Sequence, residues 1–314
     1  LKILFKNNVY MKRYILVCCF ALFCVSLFSQ KINKNTYTFA VKDDKNLNMD
    51  VYFSEKFNQK NPCLIFVFGG GFKEGSRDSS GYLPYFNHFA EKGFVVVSID
   101  YRLGMKNQKA PGIFDTKPIE NSIKIAVEDL YDATNYILNN SDKLKIDKKQ
   151  IIISGSSAGA ITVLQADYED KNNTPVAKIL PRDFDYAGVI SFAGGIFSTK
   201  GIPKYVQRPA STLFFHGSAD KLVPYNKMQL FNKGMFGSNS LVKKFKENGY
   251  PFTIFRMIDI GHEVSEYPMT EFLPEIDKFI SDFIFNKKPW MIDVSFKNPL
   301  RKSESNKNPK EYYN

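Results

Sequence analysis

The run Ile151-Ile152-Ile153-Ser154-Gly155-Ser156-Ser157-Ala158-Gly159 carries the clearest chemistry in the chain. It reads as a buried strand, a G-x-S-x-G turn and the start of a helix. A serine hydroxyl attacks a carbonyl well only when it is exposed, oriented and beside a base. A sharp strand-to-helix turn lifts Ser157 clear of the sheet. Side chains at Gly155 and Gly159 would collide across so tight a turn. The backbone N–H of Ala158 then points at the spot where an oxyanion would form. A second run, Phe66-Val67-Phe68-Gly69-Gly70-Gly71-Phe72, also follows a strand pattern. Its glycines let the backbone approach a ligand closely and aim N–H groups inward. With an oxyanion between this loop and Ser157, Gly70 and Gly71 become donors beside Ala158. One such donor contributes roughly 3–4 kcal/mol to lowering a barrier. A phosphate cradle is the competing reading, but the loop lacks the Lys-Ser/Thr ending and the G-x-G-x-x-G spacing.

The base for such a serine must be sought among three histidines. His88 falls on a helical pattern. His216 follows Leu213-Phe214-Phe215 in His-Gly-Ser-Ala-Asp. His262 follows the strand pattern Thr253 to Ile258, in Ile260-Gly261-His262-Glu263. A loop after a late strand is where a base meets Ser157 at the carboxyl edge of a parallel sheet. His262 is therefore the expected base, and His216 a structural histidine bonding within the Asp220 loop. The acid must hold the imidazole in one tautomer and stabilise its cation. Asp220 lies on a loop after another strand and completes the order Ser157, Asp220, His262. Asp100 precedes the nucleophile, and Asp259 and Glu263 are too near His262 in sequence to need a separate loop. Glu128 and Asp129 read as a solvated helix face. No cluster of His, Cys and Asp has metal-ligand spacing.

These residues need a scaffold that delivers strand ends to one edge. Tyr37 to Val41 and Met49 to Phe53 predict an opening antiparallel pair. Cys63 to Phe68 is a continuous apolar run, as a strand buried on both faces would be. Phe94 to Ile99, Ile151 to Ser154, Ala187 to Phe192, Thr212 to Phe215 and Thr253 to Ile258 are of the same type. Helices are predicted over Tyr82 to Lys92, Ile123 to Asn139, Ala158 to Ala166, Asn226 to Met235, Ser240 to Asn248 and Thr270 to Phe285. The alternation predicts an α/β fold, a mostly parallel sheet with helices on both faces. Residues 102–121 and 169–186 read as loops or small lid segments.

The chain ends differ from this body. Met11, Lys12 and Arg13 precede an apolar run from Tyr14 to Phe28, and small residues at Ser26 and Ser29 precede polar Gln30-Lys31. Residues 1–29 therefore read as an upstream extension and a signal peptide, which predicts a secreted or periplasmic protein. The run is shorter than the ~20 residues of a membrane span, so no stable span is expected in the mature form. An uncleaved anchor is the alternative. Cys18, Cys19 and Cys24 lie in that segment, and Cys63 alone remains, a buried small hydrophobe with no partner for an internal disulfide. Residues 30–288 read as one α/β domain, and 289–314 as a partly disordered tail. Net charge is +11, of which Lys2, Lys6, Lys12 and Arg13 belong to the first segment. No basic stripe interleaves with aromatics, which argues against a nucleic-acid partner.

Taken together, Phe-Gly-Gly-Gly-Phe at 68–72, Val-Val-Val-Ser-Ile-Asp-Tyr-Arg-Leu at 95–103, Ile-Asp-Lys-Lys-Gln-Ile at 146–151, Gly-Ser-Ser-Ala-Gly at 155–159 and His-Gly-Ser-Ala-Asp-Lys-Leu-Val-Pro at 216–224 resemble the α/β-hydrolase superfamily. Within it they resemble the carboxylesterases and hormone-sensitive-lipase-like esterases. The resemblance spans residues 36 to 285 and implies an eight-stranded sheet, Ser157 as nucleophile with Asp220 and His262, and an oxyanion hole of Gly70, Gly71 and Ala158. It further implies carboxylic esters as substrates and no cofactor. Phe68 stands where relatives often carry His or Tyr bracing the glycine loop. Few residues precede Cys63, so the long N-terminal cap of lipase-like relatives is missing, and the resemblance implies an open site for short acyl groups. By analogy alone, acetyl or aryl esters on plant polysaccharide join small-molecule esters as candidate substrates. The alternative within the same fold and triad order is a prolyl-oligopeptidase-like serine peptidase, against which no propeller sequence is present. A binding protein on a hydrolase scaffold is the non-enzymatic alternative.

Overall fold

Alternating β-branched and aromatic runs build a sheet whose centre is inaccessible on both faces. The computed structural model describes residues 31–313 apart from 58, 113, 114, 305 and 306. The expected signal segment, with its three cysteines, lies outside the described residues. The strands in chain order are β1 (Ile32–Lys42), β2 (Lys45–Ser54), β3 (Asn61–Val67), β4 (Val95–Ile99), β5 (Ile146–Ser156), β6 (Gly188–Phe192), β7 (Gly195–Ser198), β8 (Thr212–Gly217), β9 (Lys227–Leu230), β10 (Lys233–Gly237), β11 (Phe252–Met257) and β12 (Met291–Phe296). The main sheet runs β1-β2-β4-β3-β5-β6-β8-β11-β12. Only β1/β2 and β2/β4 pair antiparallel, and every other neighbour is parallel. Every residue of β4 and β6 is buried, which requires cover on both faces.

That cover comes from helices α1 (Leu83–Glu91), α2 (Lys117–Asn139), α3 (Ala158–Lys171), α4 (Ser238–Asn248), α5 (Pro268–Glu271) and α6 (Leu273–Phe279), the last continued by a π-helical turn to Phe285. Helix α7 (Pro309–Tyr313) follows after β12. Tyr85 on α1 meets the Ser154 hydroxyl at 3.0 Å. Tyr131 on α2 donates to Ala166 O of α3 at 2.6 Å and ties those two helices together. Cys63, the one cysteine among the described residues, is fully buried, and burial pushes its thiol far up.

Four expectations from the sequence need correction. Among the described residues the sheet has nine strands, because β12 pairs with β11 from Met291 opposite Phe252 to Phe296 opposite Met257. Only Ile292 and Val294 face inward, and exposed Asp293 interrupts them, too short an alternation to stand out from a polar tail. The tail also contains helix α7, anchored by its tyrosines as described below. The helix predicted over Asn226 to Met235 is instead the β9–β10 hairpin, which pairs with β7. Its two-residue turn puts Phe231 at φ 51°, the backbone that such turns demand but one for which Asn-Gly is the usual signal. Asp129 is not solvated. It is fully buried, accepting Arg102 N at 2.7 Å and Arg102 Nε at 3.0 Å, because its side of α2 packs on the loop after β4. Burial raises its carboxyl, with the Arg102 contacts opposing.

Candidate active site

Ser157 sits between β5 and α3 with φ 50° and ψ −113°. A non-glycine residue held there stores strain of order 1–3 kcal/mol. Backbone crowding enforces the turn. A Cβ on Gly155 would lie 2.3 Å from Gly159 C and O, and one on Gly159 only 2.0 Å from Val67 O. Ser157 N donates to Phe192 O at 2.9 Å, which anchors the turn to the end of β6. Ala158 is the first helical residue, so its N–H is among those a helix leaves unpaired.

The loops after β8 and β11 are joined to each other. Ala219 N donates to Ile260 O at 3.0 Å, Ser218 N to Met257 O at 2.9 Å, and Asp259 N to Ser218 Oγ at 2.9 Å. Gly217 permits this closeness, since a Cβ there would meet Ile260 O and Gly261 O at 2.3 Å. Asp220 and His262, 42 residues apart, are thereby brought together. His262 Nδ1 lies 2.8 Å from Asp220 Oδ2, and His262 Nε2 lies 2.7 Å from Ser157 Oγ. The three side chains thus form one continuous chain of hydrogen bonds. A carboxylate can only accept, so Nδ1 carries the proton and Nε2 is left to accept from the serine hydroxyl.

Asp220 is further held by Leu222 N and Val223 N, both donating to Oδ1, at 2.9 and 3.0 Å. Burial alone would raise its carboxyl. Hydrogen bonds and charge interactions with His216 and His262 overcome that and hold it well below the usual carboxylate range. Asp220 is therefore an anion throughout the pH range in which a histidine serves as base. His216 is fully buried. Its Nε2 lies 3.1 Å from Val223 O and 3.4 Å from Asp220 Oδ2, and its Nδ1 2.8 Å from Ser238 Oγ. It fastens the Asp220 loop and does not reach Ser157. The rival acids are occupied elsewhere: Asp100 takes Arg77 at 2.9 Å, Asp259 takes Lys297 at 2.9 Å, and Glu263 accepts Gly261 N at 3.2 Å. His88 pairs with Asp277 on α6 at 2.9 Å.

The glycine loop lies beside Ser157, and a Cβ on Gly69 would be 3.3 Å from Ser157 Cβ. Gly70 and Gly71 adopt φ 110° and 61°, which L side chains rarely do. Gly70 lines a cleft of about 280 Å³ together with Ser157 and His262. Gly71 sits under the tyrosines of α7. Phe68 packs on Tyr101 with ring centroids 4.5 Å apart. The polar bracing comes from two phenols that the sequence did not single out. Tyr101 Oη donates to Phe68 O at 3.1 Å, and Tyr82 Oη accepts from Gly69 N at 3.2 Å. Tyr101 lies inside the motif at 95–103, so a signal was present; Tyr82 had none. Glu74, Ser76, Ser79, Ser265, Glu266 and Tyr312 are among the other residues that line the cleft.

Residues 49–196 match the model of the BD-FAE family, a span that includes the glycine loop and Ser157 but neither Asp220 nor His262. Among curated proteins, the chain is 31% identical over 107 residues to Gut esterase 1 of Caenorhabditis elegans, covering 34% of this chain and 18% of that protein. It is 34% identical over 102 residues to Fumonisin B1 esterase of Sphingopyxis macrogoltabida, covering 32% and 18%. Esterase LipC of Mycobacterium tuberculosis is 34% identical over 98 residues, covering 31% and 21%. The matched stretch thus spans about a fifth of the length of these relatives. Among solved structures, the apo form of Thermogutta terrifontis esterase 2 superposes with a TM-score of 0.59 at 18% identity, covering 80% of this chain and 95% of that one. Its butyrate-bound form gives 0.60 at 19% identity, with coverage of 80% and 95%. At such identities the likeness establishes the fold.

Proposed function

We propose, for a chain with the α/β-hydrolase fold, that it is a serine esterase hydrolysing carboxylic esters through an acyl-enzyme. The observation that carries this is the unbroken contact from Ser157 Oγ through His262 to Asp220, at 2.7 and 2.8 Å. His262 Nε2 takes the hydroxyl proton as Ser157 Oγ attacks the ester carbonyl. The Asp220 carboxylate offsets the positive charge that develops on the ring. The N–H groups of Gly70, Gly71 and Ala158 receive the oxyanion, and collapse expels the alkoxide with the proton from His262. Water then repeats the sequence on the acyl-enzyme.

The size of the cleft supports a short acyl group: about 280 Å³ lies just below the usual range of small-molecule sites. Acetyl or aryl esters, free or on plant polysaccharide, are the proposed substrates. Ser157→Ala tests the mechanism on p-nitrophenyl acetate. The expected loss is roughly 10⁴–10⁶-fold in kcat, and undiminished turnover would end the proposal. Acyl chains from two to twelve carbons and acetylated xylan locate the substrate. Faster cleavage of dipeptide nitroanilides than of esters would favour the peptidase alternative.

A further inference from the structure

One wall of the cleft comes from neither the serine turn nor the loops after β8 and β11. Helix α7 lies across the glycine loop. Tyr313 Oη donates to Gly71 O at 2.7 Å, and Lys73 Nζ donates back to Tyr313 O at 3.3 Å. Tyr312 Oη donates to Glu74 Oε1 at 3.2 Å. The Tyr312 ring rests on the loop so closely that a Cβ on Gly71 would be 2.5 Å from its Cε1. The same ring lines the cleft with Ser157 and His262. Burial pushes the Tyr312 phenol up to about 12 and raises that of Tyr313 as well, so both hydroxyls stay protonated donors at neutral pH.

We propose that Tyr312 and Tyr313 belong to the ester site: Tyr313 as a positioning residue for the oxyanion loop, and Tyr312 as the residue that limits the size of the group fitting beside Ser157. The inference rests on the esterase reading and adds to it. In a trans peptide the C=O and N–H point in opposite directions, so a partner on the carbonyl aims the N–H. Gly70 O is held by Lys73 N and Glu74 N at 3.0 and 3.1 Å, which aims Gly71 N–H. The following peptide plane has Gly71 O as its acceptor, and Tyr313 holds it. Two consecutive glycines at positive φ have no side chains to fix them, so the partners of Gly70 O determine where Gly71 N–H points, while Tyr313 holds the adjoining Gly71–Phe72 plane and so limits how far the loop can turn. Phe68, at the place where a polar brace is expected, has no atom with which to do so. Tyr313 supplies a polar anchor from the other end of the loop. Tyr312 has a different consequence. Its ring occupies volume at the mouth of a small cleft, and flexible esters longer than that volume allows must displace it.

The test uses the full chain with Tyr312→Ala, Tyr312→Trp and Tyr313→Phe. Steady-state kinetics on p-nitrophenyl acetate and hexanoate are measured beside the rates at which diethyl and dibutyl fluorophosphate label Ser157, read by intact mass. Tyr312→Ala is expected to raise the hexanoate-to-acetate ratio of kcat/KM at least about tenfold, and Tyr312→Trp to lower it. The dibutyl-to-diethyl labelling ratio should move in the same directions. Tyr313→Phe should lower kcat on acetate roughly 3- to 10-fold, the scale of one hydrogen bond, with KM and melting temperature unchanged. Unchanged ratios in both Tyr312 variants overturn the size limit, and an unchanged kcat in Tyr313→Phe overturns the bracing role, while the esterase reading stands. A wild-type chain that neither hydrolyses an ester nor takes a label overturns both.

Discussion

Replacing Asp220 by Asn probes the tautomer argument with almost no change in shape. In the native site Leu222 N and Val223 N both donate to Oδ1. An Asn side chain must put its carbonyl oxygen there, because an amide NH₂ would face two donors. The NH₂ is then turned toward His262 Nδ1, where Oδ2 now sits at 2.8 Å. The imidazole must accept at Nδ1 and carry its proton on Nε2, pointing at the Ser157 oxygen. It can no longer take the serine proton, and no anion balances the cation that would form. An orienting carboxylate changed to its amide costs about 10⁴ in kcat, or about 5 kcal/mol of barrier. The expectation is therefore a 10³- to 10⁴-fold fall in kcat on p-nitrophenyl acetate, with little change in KM. Circular dichroism and a melting curve should show a folded chain. Folded Asp220→Asn protein retaining more than a tenth of native kcat would refute the reasoning, whatever Ser157→Ala does.

Four further outcomes are expected. Gly159→Ala should cost several kcal/mol and leave little soluble protein, since its Cβ would fall 2.0 Å from backbone oxygen; a native-like melting temperature would contradict this. Asp167 is buried, and burial pushes its carboxyl up to about 7 against the opposing pull of Lys171 and Ala210 N. Between about pH 4 and 7 the folded chain then holds a proton that the unfolded chain lacks, so stability falls as pH rises through that window. Asp167→Asn should come closest to the native melting temperature at about pH 4 or below and exceed it by a growing margin up to about pH 8; a gap independent of pH would refute the assignment. For Asp220 the sign is reversed, and the stability it contributes is present above about pH 4 and lost in stronger acid. The basic and apolar pattern from Met11 to Ser29 supports export, so expression in a bacterium should yield periplasmic protein whose N-terminal sequence begins near Gln30; an intact cytoplasmic chain would refute that proposal.

The strands and the meeting of Ser157, Asp220 and His262 were legible because each rests on a local signal. Uninterrupted apolar runs such as Cys63 to Phe68, too short for helices and closed by glycines, read as doubly buried strands, and the glycines at 155 and 159 have a steric reason to be there. Edges and turns were harder to read. Strand β12 hides its two inward residues among polar ones, and the β9–β10 hairpin turns through Phe231-Asn232 with no glycine to announce it. Asp129 looked solvated because its partner, Arg102, lies 27 residues away and the burial is a property of packing. Tyr312 and Tyr313 gave no signal, since nothing in a run of lysines and asparagines says which loop it will lie against.

The contact between Gly159 and the carbonyl of Val67 has an engineering consequence. Val67 and Phe68 lead directly into the glycine loop, so the first turn of the helix behind the nucleophile is seated on the root of the segment that would receive the oxyanion. The spacing between the serine turn and the glycine loop is gauged by main chain touching main chain. Redesign of the cleft can therefore alter side chains that do not anchor the glycine loop and still inherit the same spacing, provided those two backbones remain in register.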